Sequence, residues 1–230
     1  HCRPEVIQQI KEMEILTVNW YCNASYQLHL VENLAPVYDF CLVPEQFRLD
    51  DYRRLGATPI YTQEAANPEI YKPYDVPVEF DVVFIGQMYG DRPDFIVALL
   101  DAGVDVRVWG RGWPYRQNSL KGIVKRTALG ETLRRVKYRL QYRKWPPSRP
   151  KIPSSICNPP LSDIEMIKMY SRSRISLGFS KVGETHKDDI PIKQVRLRDF
   201  EAPMSGAFYL MEYVDEIEEF FTIGEEIVCF

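Results

Sequence analysis

Phe80-Asp-Val-Val-Phe-Ile-Gly-Gln-Met-Tyr-Gly-Asp-Arg-Pro-Asp-Phe-Ile-Val-Ala-Leu-Leu-Asp-Ala-Gly-Val-Asp-Val-Arg-Val-Trp109 is the stretch whose reading decides the fold. Its apolar run Val82 to Ile85 stops at Gly86, as a strand buried on both faces would. Pro93 then begins a helical pattern that runs to Ala102, and Val104 to Trp109 returns to β-branched residues. Strand, helix and strand at this spacing make a βαβ unit, so the expected class is α/β with parallel sheets.

The same alternation continues on both sides. Toward the N-terminus it predicts a helix over Pro4–Met13, a strand over Ile15–Trp20 and a helix over Tyr26–Leu34. A strand at Phe40–Val43, a helix over Arg48–Leu55 closed by Gly56 and a strand at Pro59–Thr62 follow. Toward the C-terminus Ser162 can cap a helix over Asp163–Tyr170. Next come a strand at Arg174–Phe179, a helix around Val195–Met204, a strand at Ala207–Met211, a helix at Asp215–Phe221 and a strand at Glu226–Phe230. Three prolines between Asn67 and Pro77 suit a linker, and the domain boundary is placed there. The expected division is residues 1–75 and 76–230, with a basic insertion at about 111–151 in the second part.

At 230 residues and 45% hydrophobic content, one or two packed units fit. No apolar run approaches the roughly 20 residues of a membrane-spanning helix. The five cysteines, Cys2, Cys22, Cys41, Cys157 and Cys229, show no CxxC spacing, and an odd count fits a reducing cytoplasm better than a disulfide framework. Asn23-Ala-Ser25 matches a glycosylation acceptor but no secretion signal accompanies it, so it is read as unused. The opening His1-Cys-Arg-Pro and the closing Glu225-Glu-Ile-Val-Cys-Phe230 are both read as cuts inside a longer chain.

A net charge of −3 conceals a strong asymmetry. Residues 111–151 hold thirteen Lys and Arg against one acidic residue, Glu131; the remainder holds sixteen basic and thirty-one acidic residues. Within that segment Leu129, Leu133, Val136 and Leu140 fall along one helix face. Three readings follow, in this order: a helix docked by its apolar stripe with solvated charges outside, a peripheral contact with an anionic membrane surface, and binding to a nucleic acid.

A fold does not name its substrate, so function must come from sites. In open parallel sheets ligands bind beyond the carboxyl ends of strands, with anions held at helix N-termini. Gly86-Gln-Met-Tyr-Gly-Asp-Arg92 is such a turn, where backbone amides and Arg92 could meet a phosphate. Lys193-Gln-Val-Arg-Leu-Arg-Asp-Phe-Glu-Ala-Pro-Met-Ser-Gly206 is the other. Guanidinium forks at Arg196 and Arg198 suit phosphate oxygens, and a carboxylate at Glu201 can accept two hydroxyl hydrogen bonds. On the residues alone, a plain turn and a solvated amphipathic helix remain the simpler readings of these two segments. His1, His29 and His186 have no metal-ligand spacing, so no metal site is expected.

Asp199-Phe-Glu-Ala-Pro-Met-Ser-Gly-Ala-Phe-Tyr-Leu210 resembles the glycosyltransferase segment written LLEAMACGxPVI. Closer still is the spore-maturation CgeB family, with its Arg-x-Phe-Glu, its Pro-x-Ser-Gly turn and its Phe-x-x-Gly-x-Glu-Ile-Val pattern, here Phe220 to Val228. Tyr52-Arg-Arg-Leu-Gly56, Ala65-Ala-Asn-Pro68, Phe80 to Gly86 and Val108-Trp-Gly-Arg-Gly-Trp113 also resemble it in the same order.

The resemblance implies a GT-B fold of two Rossmann-like domains. The N-terminal, acceptor-side one would lack its first strands, and the C-terminal one would bind a nucleotide-sugar donor. It implies a metal-independent glycosyltransferase of hexosyltransferase type with an unknown acceptor and no cofactor, the nucleotide sugar being substrate. Donor contacts would come from Glu201 on the ribose, Arg196 and Arg198 on the diphosphate, and Gly86, Arg92, Gly110, Ser205 and Gly206 in the surrounding loops. Asn23 and His29, with Asp39, are acceptor-side candidates. The sequence departs from the retaining enzymes at Lys193, where the first Glu of their Glu-x7-Glu pair would stand, so only the second Glu is carried over. The alternative function is a non-catalytic binding module, or a membrane or nucleic-acid adaptor using the basic segment.

Overall fold

The computed structural model describes residues 3–114, 136, 139, 151–182 and 190–230. The chain divides into two compact units, His1–Tyr74 with Gly178–Phe230, and Asp75–Leu177.

In the Asp75–Leu177 unit, β4 (Phe80–Ile85) pairs in parallel with β5 (Val106–Trp109) on one side and with β7 (Ser173–Gly178) on the other. The short β6 (Cys157–Asn158) extends the sheet beyond β5. Covered on both faces, β4 buries Val82, Val83, Phe84 and Ile85 in succession, which is why its apolar run does not alternate. Helix α4 (Arg92–Asp101) connects β4 to β5, and α5 (Asp163–Ser171) precedes β7. Ser162 starts α5 as expected: its N–H and hydroxyl both donate to the Glu165 carboxylate, at 3.1 and 2.7 Å. Each fully buried Val or Ile here, such as Val83, Ile96 and Ile167, contributes roughly 1.5–3 kcal/mol.

In the other unit, β1 (Val18–Trp20), β2 (Phe40–Val43) and β3 (Pro59–Tyr61) form a parallel sheet in that order. Helix α1 (Pro4–Glu12) precedes it, α2 (Ala24–Gln27) follows β1 and α3 (Leu49–Arg54) follows β2. Its core gathers Ala24, Val31, Ala35, Cys41, Val43, Tyr52 and Ala57. The later part of the unit holds α6 (Leu197–Met204) and the parallel pair β8 (Phe208–Met211) and β9 (Val228–Cys229). The parallel α/β architecture expected from the sequence is therefore the one found.

Two predicted helices are shorter and tighter. Over Tyr26–Leu34 only α2 and a 3-10 turn at Leu28–Leu30 form, with the Val31 N–H bonded to the Leu28 carbonyl at 3.0 Å. Of the apolar residues at 26, 28, 30, 31 and 34, Leu28 falls off the face the others share, and Pro36 blocks continuation. Asp215–Phe221 becomes a 3-10 helix, Asp215–Glu219, with the Phe220 and Phe221 N–H groups both closing onto the Ile217 carbonyl at 3.1 Å. Of the predicted basic helix, Val136 and Arg139 are helical and exposed; the rest, including Leu129, Leu133 and Leu140 of its apolar stripe, and His186 lie outside the described residues.

Candidate functional site

Helix α6 organises the first candidate site. Arg196 enters it in extended conformation, and its N–H donates to the Asp199 carboxylate at 2.8 Å, closing the first turn. Asp199 is buried and also accepts the Tyr209 hydroxyl at 2.7 Å. Burial dominates, pushing its carboxyl up to about 6 against the opposing hydrogen bonds from Tyr209 and Arg196. The helix ends at Ser205, whose hydroxyl donates to the Glu201 carbonyl at 2.7 Å, and at Gly206, which takes φ +81°.

Glu201 is only 4% exposed. The Tyr71 hydroxyl donates to its Oε1 at 2.6 Å, and Arg198 Nε stands 3.6 Å from its Oε2. At the head of α6 the Leu197 N–H donates to Glu64 Oε2 at 3.0 Å. Arg196 turns the other way. Its Nε donates to the Phe179 carbonyl at 3.0 Å and its Nη2 to the carbonyls of Ser180 and Lys181 at 3.3 and 2.6 Å. Of the two arginines, then, Arg198 lies beside Glu201 and Arg196 fastens the loop after β7.

Lys193 donates to the Tyr213 carbonyl at 2.9 Å and lies 3.3 Å from Glu212 Oε1. Glu212 is buried, and its other oxygen accepts the N–H groups of Ser180 and Lys181 at 3.1 and 3.3 Å. A cleft of about 660 Å³ opens beside this pair, lined in part by Gln46, Phe47, Lys193, Tyr213, Glu216 and Glu219.

The Asp75–Leu177 unit carries the second candidate site, at the carboxyl ends of β4 and β5. Gly86 donates to the Trp109 carbonyl at 2.8 Å and accepts Trp113 Nε1 at 2.8 Å. Gly110, at φ +145°, presses against the Gly86 carbonyl so closely that a methyl group there would lie 2.1 Å from that oxygen. Arg92 is buried at the start of α4. It donates to the Gln87 carbonyl at 2.9 Å and stacks on the Tyr89 ring, 3.8 Å from its centroid. Gly86, Arg92 and Gly110 thus share one loop cluster, and Glu201, Arg198, Ser205 and Gly206 share α6.

The acceptor-side candidates belong to two places in the chain. Asn23 and His29 are exposed around α2. Asp39 precedes β2 at the amino end of the sheet, where it accepts the Thr17 N–H and hydroxyl, each at 2.8 Å, and pairs with Lys11 at 3.0 Å. Those contacts, led by the Thr17 N–H, hold its carboxyl down at about 2. Sequence reasoning passed over three residues in this unit: Glu45, Glu64 and Tyr71. Glu45 and Glu64 lie two and three residues past the ends of β2 and β3, so the strand-end rule applied to those strands finds them. Glu45 is 2% exposed, accepts the Ser25 N–H at 3.1 Å and has its carboxyl pushed up to about 7 by burial. Tyr71 carried no signal, because it lies in the proline-rich segment read as linker.

Residues 145–230 match a protein-family model described as glycosyl transferase-like. That stretch contains α5, β7, α6, β8 and β9, and with them Glu201 and both arginines. No curated protein matches the chain. The match supports a general glycosyltransferase function, which implies a nucleotide-sugar donor and an acceptor. Among the described residues no helix is long and apolar enough to cross a membrane, and no group of His, Cys, Asp and Glu is gathered as a metal site would be.

Proposed function

We propose that the chain is part of a glycosyltransferase of the CgeB-like kind that moves a sugar from a nucleotide-sugar donor to a hydroxyl acceptor without a metal. In this reading residues 76–230 bind the donor and residues 1–75 belong to the acceptor side. The observation that carries it is the buried Glu201 carboxylate on α6, inside the glycosyl transferase-like stretch, with Arg198 at 3.6 Å. A carboxylate so placed can accept the two ribose hydroxyls, which a solvated surface Glu would hold poorly.

The reaction asks for little covalent chemistry from the protein. The acceptor oxygen forms a bond to the anomeric carbon as the bond from that carbon to the diphosphate breaks. The electron pair departs with the nucleoside diphosphate, and the hydroxyl proton passes to a base. Positive charge and aligned N–H groups aimed at the departing diphosphate lower the barrier. Arg198 and the N-terminus of α6 suit that task, while Arg196, engaged by three carbonyls, orders the loop after β7. Gly86, Arg92 and Gly110 would shape the second donor-contacting loop. The cleft beside Lys193, with carboxylates at Glu216 and Glu219 and the exposed Phe47 ring, has the chemistry to bind a hydroxyl-rich acceptor.

The test is a thermal-shift and calorimetric screen of UDP-, GDP-, dTDP-, CDP- and ADP-sugars. At least one donor should stabilise the protein, and Glu201→Ala should weaken it at least tenfold. A screen in which no donor binds would sink the proposal.

A further inference from the structure

We infer that the segment from Glu64 to Tyr74 is a built-in competitor for the donor: its Glu64 carboxylate and Tyr71 phenol occupy the two positions on α6 that a phosphate and a ribose would take. The inference rests on the reading of Glu201 as the ribose carboxylate.

Three contacts along one helix carry it. The Tyr71 hydroxyl donates to Glu201 Oε1 at 2.6 Å, the same O–H to carboxylate bond that a ribose hydroxyl would make. The Glu64 carboxylate accepts the Leu197 N–H at 3.0 Å, so an anionic oxygen already sits at the positive end of α6, where a phosphate oxygen would be favoured. Pro73 lies against Gly206, its Cγ and Cβ 3.1 and 3.2 Å from where a side chain on that glycine would begin. Residues 197 and 201 are separated by about 6 Å along the helix axis. A single nucleotide spans a comparable distance from its ribose hydroxyls to its phosphates.

Burial makes the competition direct. With Glu201 only 4% exposed, a ligand hydroxyl reaches Oε1 only if Tyr71 withdraws. The middle of the segment is held together by local hydrogen bonds. The N–H groups of Ile70 and Tyr71 close onto the Asn67 carbonyl at 3.0 and 2.8 Å, the Glu69 N–H onto the Asn67 side chain at 2.9 Å, and Ile70 is half exposed. A donor must then overcome the closed population before it binds. If nine in ten molecules are closed, apparent affinity falls by about tenfold. Such a segment keeps the site shut until a ligand satisfies both the head of α6 and Glu201 together, which selects nucleoside diphosphates over nucleosides or free phosphate.

The experiment titrates UDP, GDP, dTDP, CDP and ADP into the full chain by calorimetry and follows amide exchange of residues 64–74. Tyr71→Phe and Glu64→Gln should each tighten binding of the preferred diphosphate roughly three- to tenfold. Glu201→Ala should weaken it, and exchange over 64–74 should quicken when wild type is saturated. If Glu201→Ala weakens binding while Tyr71→Phe and Glu64→Gln leave it unchanged or weaker, the competitor is overturned and the donor-site reading stands. If no diphosphate binds wild type or either segment variant, both fall. Should Tyr71→Phe fail to fold, wild-type exchange alone decides, and unchanged or slowed exchange over 64–74 on saturation overturns the competitor.

Discussion

Gly110 rests on the carbonyl of Gly86, and no side chain fits between them: a methyl on Gly110 would sit 2.1 Å from the Gly86 oxygen and 2.6 Å from its carbon. The contact is backbone against backbone, so rotamer changes cannot relieve it. Gly110 also adopts φ +145°, a conformation that side chains disfavour. Gly110→Ala is therefore expected to destabilise the protein by about 3 kcal/mol or more, combining overpacking and backbone strain. Urea unfolding measures this directly, and a loss below about 1 kcal/mol would show that the two strands separate easily.

Arg196 and Arg198 look equivalent in sequence, yet their guanidinium groups meet different partners. Arg196→Lys keeps the charge but loses the fork that reaches three carbonyls, so it is expected to cost roughly 2–3 kcal/mol of stability. Arg198→Ala should change stability by less than about 1 kcal/mol, because the Glu201 carboxylate beside it is 3.6 Å away and its side chain is one-third exposed. Donor affinity should show the reverse order, falling about tenfold for Arg198→Ala and little for folded Arg196→Lys. Paired denaturation and calorimetry would expose the opposite ranking if the roles are exchanged.

Most of the parallel strands were legible in the sequence because they have a local signature; the two-residue β6, inside a proline-rich loop, has none. The unbroken apolar run of β4 and the capping pair Ser162 and Glu165 require no knowledge of distant neighbours. What stayed hidden depends on residues far apart in the chain. Nothing near Arg196 announces that it bonds backward to Phe179, Ser180 and Lys181, and nothing near Tyr71 announces a partner 130 positions later. Glu201 was visible as a residue of interest, but its burial was not, since the helix pattern fits a solvated charge equally well. Gly86 and Gly110 stand out in the sequence as positions in donor-side loops, and the backbone packing between them is a second demand that composition alone cannot reveal.

Glu45 makes a pH-dependent contribution with a definite sign. Burial raises its carboxyl from the ordinary 4.5 to about 7, so between those pH values the folded chain holds a proton that the unfolded chain releases. Its contribution is fully present below pH 4.5 and is lost as pH rises through 7, to a total of about 3 kcal/mol. Asp199, pushed up to about 6, acts in the same direction, so wild type alone cannot isolate Glu45. The difference between Glu45→Gln and wild type can. Chemical denaturation from pH 4 to 8 should show the variant gaining on wild type by about 3 kcal/mol across that window, and a difference that stays flat would place the Glu45 titration elsewhere.

Glu212 and Lys193 form the last testable pair, where the family pattern of the retaining enzymes has a carboxylate and this chain has a cation. Lys193 reaches both Glu212 and the Tyr213 carbonyl, while Glu212 also collects the N–H groups of Ser180 and Lys181 and lies 3.5 Å from the Lys181 ammonium. Glu212 is 5% exposed, so those partners stand in for the water contacts that burial removes. Glu212→Ala leaves two ammonium groups without their carboxylate and two N–H groups without an acceptor, a loss expected to be roughly 3–5 kcal/mol. Lys193→Met keeps the aliphatic stem and leaves Lys181 on the carboxylate, so it should cost about 1 kcal/mol. If Lys193 serves only this packing role, Lys193→Met will leave donor affinity unchanged. A donor affinity that falls tenfold with little change in stability would instead make the lysine a ligand of the donor.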